Sequence, residues 1–212
     1  MFQYINLDKL LTDYPELHIW EYGESHTPRC IRGTFVMDAN HNGVRFLKEY
    51  SIKIDLSGEE SPSVRETGHH IDSNYPHKYT NGKLCLGTET DIIITCCHNN
   101  KFDLPLWFDR FVIPYFYSYE YYKRMGEYPF GERSHGKYGI LEYYMDTFNL
   151  ESHNQAQNFL SFVIQHSEYR GHFFCPCGSG KRIRDCHKNE FIKALEPILK
   201  ERIRIDLDSL KG

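Results

Sequence analysis

No apolar stretch in this sequence approaches the ~20 residues needed to cross a bilayer, and a mean hydropathy of -0.59 fits a soluble chain. Residues 1–6, Met-Phe-Gln-Tyr-Ile-Asn, carry no basic segment followed by an apolar run, so no secretion signal is read and a cytoplasmic location is expected. Internal repeats and low-complexity segments are absent. A dense basic segment is absent too: the 212 residues hold 25 Lys/Arg against 29 Asp/Glu, net -4. Even the most basic stretch, residues 181–212, reaches only +3, with nine Lys/Arg against six Asp/Glu. Binding to a phosphate backbone usually needs a denser basic face, so nucleic acid is not an expected partner, and neither is a membrane. The cysteine complement is odd. Seven cysteines without a secretion signal point to reduced thiols, metal ligands or chemistry rather than a disulfide framework.

What is present suffices for a folded protein. Hydrophobic residues make up 40% and aromatics 15%, enough for a substantial core. The spacing predicts a short helix opening at Leu7-Asp8-Lys9-Leu10-Leu11 and stopping before Pro15. Strands are expected at 30–37 and 46–56, the second alternating with Tyr50, Ile52, Ile54 and Leu56 on one face, and Asn40-His41-Asn42-Gly43 between them carries hairpin chemistry. Ser63-Val64-Arg65-Glu66 reads as a third strand. Asp91-Ile92-Ile93-Ile94-Thr95 is a short apolar run of no assigned class. Residues 104–126 predict helix with a break or new start at Pro114, and 153–167 a helix with Phe159, Phe162, Val163 and His166 in one stripe. One last helix carries Phe191, Leu195, Ile198 and Leu199.

The sharpest metal signal is Cys175-Pro176-Cys177-Gly178-Ser179-Gly180-Lys181 followed by Cys186-His187. Three thiolates and one imidazole, Cys175, Cys177, Cys186 and His187, make the usual ligand set of a closed structural zinc site with no position open for catalysis. The stretch 175–187 is too short to bury a core, so metal binding could supply its folding free energy. It resembles the SEC-C motif first described in the tail of the protein-translocation motor SecA, and that resemblance implies an interaction element rather than a catalyst.

The second constellation runs from His69 to Gly87 and includes His69, His70, His77 and Cys85, with Asn81-Gly82 marking a turn in a polar loop just before the cysteine. A thiol exposed there can react with an activated thioester, a reaction that needs less activation than attack on an amide. Tyr75-Pro76-His77 and Asn81-Gly82-Lys83-Leu84-Cys85-Leu86 are similar, in content and spacing, to the His-Pro-Asn tripeptide and cysteine loop of the ubiquitin-conjugating enzyme family.

The resemblance implies an α+β fold, a helix leading into an antiparallel meander packed with helices. It also implies a relay in which Cys85 receives the carboxyl end of a ubiquitin-like modifier, or of another protein, as a thioester from an activating enzyme. The acyl group then passes to an amine of a target protein. His77 stands where the family has Asn, so its imidazole N–H would donate to the oxyanion, or its ring would act as general base. The alternative for His77 is a loop histidine packed under Tyr79. The family's downstream acid is not placed by motif; Asp91 and Asp103 are candidates by position.

On this reading residues 1–150 form the conjugating domain, with an aromatic-rich insertion of bacterial type, and residues 151–212 a helical extension bearing the zinc motif. Divergent bacterial members look similar to this chain. Some stand beside cGAS-like nucleotidyltransferases in antiphage CBASS systems and others in ubiquitin-like conjugation operons, which implies such partners and a role in antiviral defence. Two other readings stand beside it: a non-catalytic adaptor of the same fold, and a cysteine hydrolase using Cys85 with His77 or His135. His135 and Glu142 could also be read as a second catalytic pair, though a structural role suits that segment better. Cys30, Cys96 and Cys97 are expected to be buried.

Overall fold

A computed structural model describes residues 2–58 and 60–211, and helix makes up 43% of it and strand 23%. The chain folds into two compact units, residues 1–131 and 132–212.

In the first unit α1 (Leu7–Asp13) stops before Pro15 as expected, and its buried residue is Leu10. Four strands follow in sequence order as an antiparallel sheet: β2 (Leu17–Tyr22), β3 (Pro28–His41), β4 (Val44–Asp55) and β5 (Ser63–Glu66). The β3–β4 hairpin is longer at its tip than the alternation alone predicts. Asn42 and Gly43 both adopt positive φ (50° and 82°), the conformation of a two-residue turn that matches strand twist, so pairing continues to His41 and Val44. Tyr50, Ile52, Ile54 and Leu56 share the buried face, as their spacing requires. The edge strand β2 escapes sequence reading: only Leu17 is buried, and its pairing with β3 slips between Ile19 and Tyr22.

At Gly33 the chain passes so close to β2 that an added Cβ would lie 1.9 Å from the Glu16 carbonyl oxygen, and φ there is +145°. Only glycine fits.

A small second sheet joins β1 (Gln3–Ile5), β6 (Cys97–His98) and β7 (Lys101–Asp103), with β1 parallel to β7. The run at 91–95 is helical, as part of α2 (Glu89–Cys96). Thr88 caps it by accepting from the Asp91 N–H, and the helix buries Ile92 and Ile93. Pro114 does not break the next helix. α3 (Leu104–Trp107) runs through a π-helical turn (Phe108–Val112) into α4 (Ile113–Met125), which ends at Gly126 with φ 78°. The widened turn lies immediately before Pro114, where proline cannot donate to the fourth residue back, so the helix continues. Phe108 and Phe116 from this helix pack with Phe35 and Tyr50 of the sheet, and fully buried Trp107 packs beside Phe102 and Phe108.

The second unit is built of α5 (Lys137–Phe148), α6 (His153–Gln165), α7 (Lys188–Ala194) and α8 (Pro197–Lys211). α5 packs with α6, α7 and α8. In the α6 stripe Phe159 and Val163 are fully buried, and Phe162 and His166 stack at 4.0 Å. The expected single last helix is two, because the first ends at Ala194 and Pro197 opens the second. Phe191, Leu199 and Ile203 face the core, while Ile198 is exposed. Buried Asp206 accepts from the Tyr144 hydroxyl at 2.7 Å and lies 3.7 Å from Arg202, so this polar group inside a helical core is satisfied.

Candidate functional site

In the first unit the loop between β5 and α2 carries the thiol. Its start is anchored by Glu66, the last residue of β5. The carboxylate is fully buried and accepts from the N–H groups of Gly68 (2.6 Å), His70 (3.1 Å) and Ile71 (3.4 Å), with the His70 ring at 3.3 Å. His70 therefore serves the loop's structure, and His69 is exposed with φ 58°. Tyr119 fixes the next turn, accepting from the Asp72 N–H and donating within reach of the His70 carbonyl at 2.9 Å.

The second half of the loop folds back on itself. Leu84 N–H donates to Val64 O of β5 at 2.9 Å, Lys78 and Leu84 pair as antiparallel neighbours, and Arg65 pairs with Lys83. Gly82 (φ 80°) closes a turn by donating to Tyr79 O at 2.8 Å, while Asn81 Oδ1 accepts from Lys83 N–H at 3.0 Å. Thus Asn81 and Gly82 act on the shape of the turn.

Cys85 emerges from this turn half-buried. Its N–H donates to the His77 carbonyl at 2.8 Å, the Tyr115 hydroxyl of α4 donates to the same oxygen at 3.1 Å, and the two side chains bring a His77 ring nitrogen within 4.8 Å of Cys85 Sγ. The rings of Tyr75 (5.5 Å) and Tyr128 (5.1 Å) flank the imidazole edge-to-face. Tyr75 is buried and makes ring contacts with Tyr115, Tyr119 and Tyr122, whereas Pro76 is exposed. The Tyr79 hydroxyl lies 3.4 Å from Cys85 Sγ. The bond to that sulfur, together with partial burial, pushes the Tyr79 phenol up to about 12, so it stays a protonated donor at neutral pH. A thiol, an imidazole and a phenol thus share one loop. Sequence reading found Cys85 and His77; Tyr79, Tyr115 and Tyr128 carry no local signal beyond belonging to aromatic-rich segments.

Asp103 caps α3, accepting from the Leu106 N–H, and also accepts from the Asn6 amide, while Asp91 lies in the first turn of α2. Cys30, Cys96 and Cys97 are buried, and burial pushes the Cys96 thiol up to about 12.

In the second unit His135 is exposed, and Glu142 accepts from both the N–H and hydroxyl of Ser134 at 2.7 and 2.6 Å, tying the loop before α5 to that helix. Here too the four expected metal ligands converge. The ligand atoms of Cys175, Cys177, Cys186 and His187 all lie within 4.8 Å of one another. Cys177 and Cys186 sulfurs are 3.6 Å apart, and His187 Nδ1 is 3.3 Å from Cys175 and 3.1 Å from Cys186. Tetrahedral ligands at a metal–sulfur distance of ~2.3 Å would be separated by about 3.8 Å, so the cluster could close on one ion with little movement.

Two local turns shape it: Cys175 N–H donates to Lys181 O, and Gly178 and Gly180 adopt positive φ between the ligand pairs. His187 Nε2 lies 3.2 Å from the Asn149 carbonyl, which fixes the tautomer that leaves Nδ1 free of hydrogen for a metal. That carbonyl, 38 residues away, is invisible in the motif.

No family model, no curated protein and no solved structure matches this chain.

Proposed function

We propose that this protein is an acyl-carrier transferase of the ubiquitin-conjugating kind, with Cys85 as the thioester nucleophile. The observation that carries the proposal is the join between Cys85 and His77: a half-exposed thiol whose backbone is hydrogen-bonded to the residue that places an imidazole beside it. The order of elements supports it as well, with a helix, a four-stranded antiparallel meander, a Tyr-Pro-His turn, the cysteine and then a helix.

In the first step the Cys85 sulfur attacks the carbonyl of a modifier's C-terminal thioester on an activating enzyme. A new C–S bond forms, and the activating enzyme's thiolate leaves. In the second, an amine of the target attacks the Cys85 thioester. The C–N bond forms, the C–S bond breaks, and the amine's proton passes to base while Cys85 leaves as thiolate. His77 donates to the carbonyl oxygen as charge develops there, or takes the amine proton. The Tyr79 hydroxyl donates to the sulfur, which favours its departure as thiolate.

In the same proposal the cluster of Cys175, Cys177, Cys186 and His187 holds a structural zinc ion, in the manner of SEC-C modules. The ion would tie the 175–187 turn to α7, which follows His187 directly. A reducing compartment and a modifier, an activating enzyme or a cGAS-like nucleotidyltransferase in a bacterial antiviral system complete the reading.

The test is incubation with activating enzymes and candidate modifiers plus ATP, followed by gels with and without reductant. A reductant-sensitive adduct that disappears in Cys85→Ala is the expected result. Full activity of Cys85→Ala with no adduct from cognate partners would leave an adaptor, not a transferase.

A further inference from the structure

Cross-strand register aligns a histidine and four cationic side chains in a single row. His18 of β2 faces Arg32 of β3, Arg32 faces Lys53 of β4, Lys53 faces Arg65 of β5, and Arg65 faces Lys83 of the cysteine loop. Their neighbours Ile31, Ile54 and Val64 are fully buried, so alternation places the row on the outer face of the sheet. Like charges directly opposite one another destabilise a sheet. This unit is acidic, with thirteen Lys/Arg against eighteen Asp/Glu in residues 1–131, yet four of the thirteen stand in this row.

No ion pair closes the row. Among the described residues none of Arg32, Lys53, Arg65 and Lys83 forms an ion pair. Arg32 Nε is buried without an acceptor, its guanidinium lying 4.9 Å from the centroid of exposed Trp20. Asp55, two residues after Lys53 on the same face of β4, accepts from the N–H and hydroxyl of Ser57 and attracts Lys53 and Arg65 through space without an ion pair to either, so it offsets the row only in part.

We propose that this row is a docking strip for a short acidic segment of a partner protein, lying extended across the strands with its carboxylates on Arg32, Lys53, Arg65 and Lys83. At the usual strand spacing the five positions span about 19 Å, the length of about six extended residues. Alternate side chains of such a segment stand about 6.6 Å apart, close enough to meet successive or alternate cations of the row. A long polyanion fits less well. The strip is one residue wide, and Glu49 and Asp55 on β4 and the unit's net charge of -5 repel whatever extends beyond it. The strip ends at Lys83, two residues before Cys85, but its binding requires no chemistry at that thiol.

Fluorescence anisotropy of a labelled hexaglutamate peptide with the full chain tests the proposal, with hexalysine and an oligothymidylate as competitors. Binding is expected to weaken steeply as salt rises from about 50 to about 500 mM. In Arg32→Gln/Lys53→Gln it is expected to weaken about tenfold, with an unchanged circular dichroism spectrum. Lys83→Gln supplies a second variant outside the core strands and is expected to weaken binding in the same direction. Absence of hexaglutamate binding, binding unmoved by salt and by these variants, or tighter binding of the oligothymidylate than of the peptide would each overturn it. The last result would assign the strip to nucleic acid.

Discussion

The hydroxyl of Tyr115, in the middle of the long helix, donates to the carbonyl of His77 at 3.1 Å, the same oxygen that receives the Cys85 N–H. One carbonyl therefore ties the thiol's backbone to the core helix. Tyr115→Phe removes one of two donors and leaves no buried group without a partner. The expected cost is about 0.5–1.5 kcal/mol in denaturant unfolding of the first unit. A loss several times larger would mean that the hydroxyl holds the loop together alone.

His77 separates the two steps of the proposed reaction. His77→Ala is expected to leave reductant-sensitive adduct formation on Cys85 nearly intact and to slow its discharge to amine by about 10²-fold, the usual consequence of removing a donor to a developing oxyanion. His77→Asn keeps a side-chain N–H, so discharge should return to within about tenfold of the parent if donation is the role. Should Asn fail where His succeeds, proton abstraction is the role instead. Single-turnover chase of a preformed adduct measures both.

The proposed zinc site of Cys175, Cys177, Cys186 and His187 predicts a local response to chelation. Stripping the ion, or replacing Cys177 with Ser, is expected to release one zinc per chain and to expose the amides of residues 173–191 to hydrogen exchange, including those of Cys175, Ile183 and Phe191 that are now hydrogen-bonded. Exchange in β3 and β4 should be unchanged. Retention of metal by Cys177→Ser would remove the ligand assignment.

Gly33 has no room for a side chain. Its φ of +145° and the 1.9 Å approach of an added Cβ to the Glu16 carbonyl oxygen mean that Gly33→Ala must displace β2 from β3. Destabilisation of at least about 3 kcal/mol is expected, or failure to accumulate folded protein. Gly43→Ala at the hairpin tip meets no atom within 4 Å and should cost only the strain of positive φ, about 1 kcal/mol.

Local signals in the sequence were legible, and signals that depend on distant partners were not. The β3–β4 hairpin could be read because alternation and Asn42-Gly43 act over neighbouring residues. The Cys175–His187 cluster could be read because all four ligands lie within one turn-rich stretch. β2 was missed because an edge strand carrying His18, Trp20, Glu21 and Tyr22 has almost no buried face of its own. The run at 91–95 was ambiguous since Ile suits a buried strand or helix, and the Thr88 cap decides between them. Pro114 reads as a break, but its clash is relieved by the π-helical turn Phe108–Val112, which no local spacing signals. At the candidate site the sequence identifies Cys85 and His77, but what fixes them, Glu66 and Tyr115, comes from β5 and α4 through bonds that no spacing rule contains.

The placement of the two tryptophans has a practical consequence for spectroscopy. Trp107 sits fully enclosed beside Phe102 and Phe108, Trp20 stands exposed under Arg32, and residues 132–212 contain none. Intrinsic emission thus combines a blue-shifted interior fluorophore with a red-shifted surface one, both in the first unit. A melt followed at these wavelengths reports the core around the sheet and is blind to the helical unit, whose tyrosines and cysteine-rich turn must be followed by other probes.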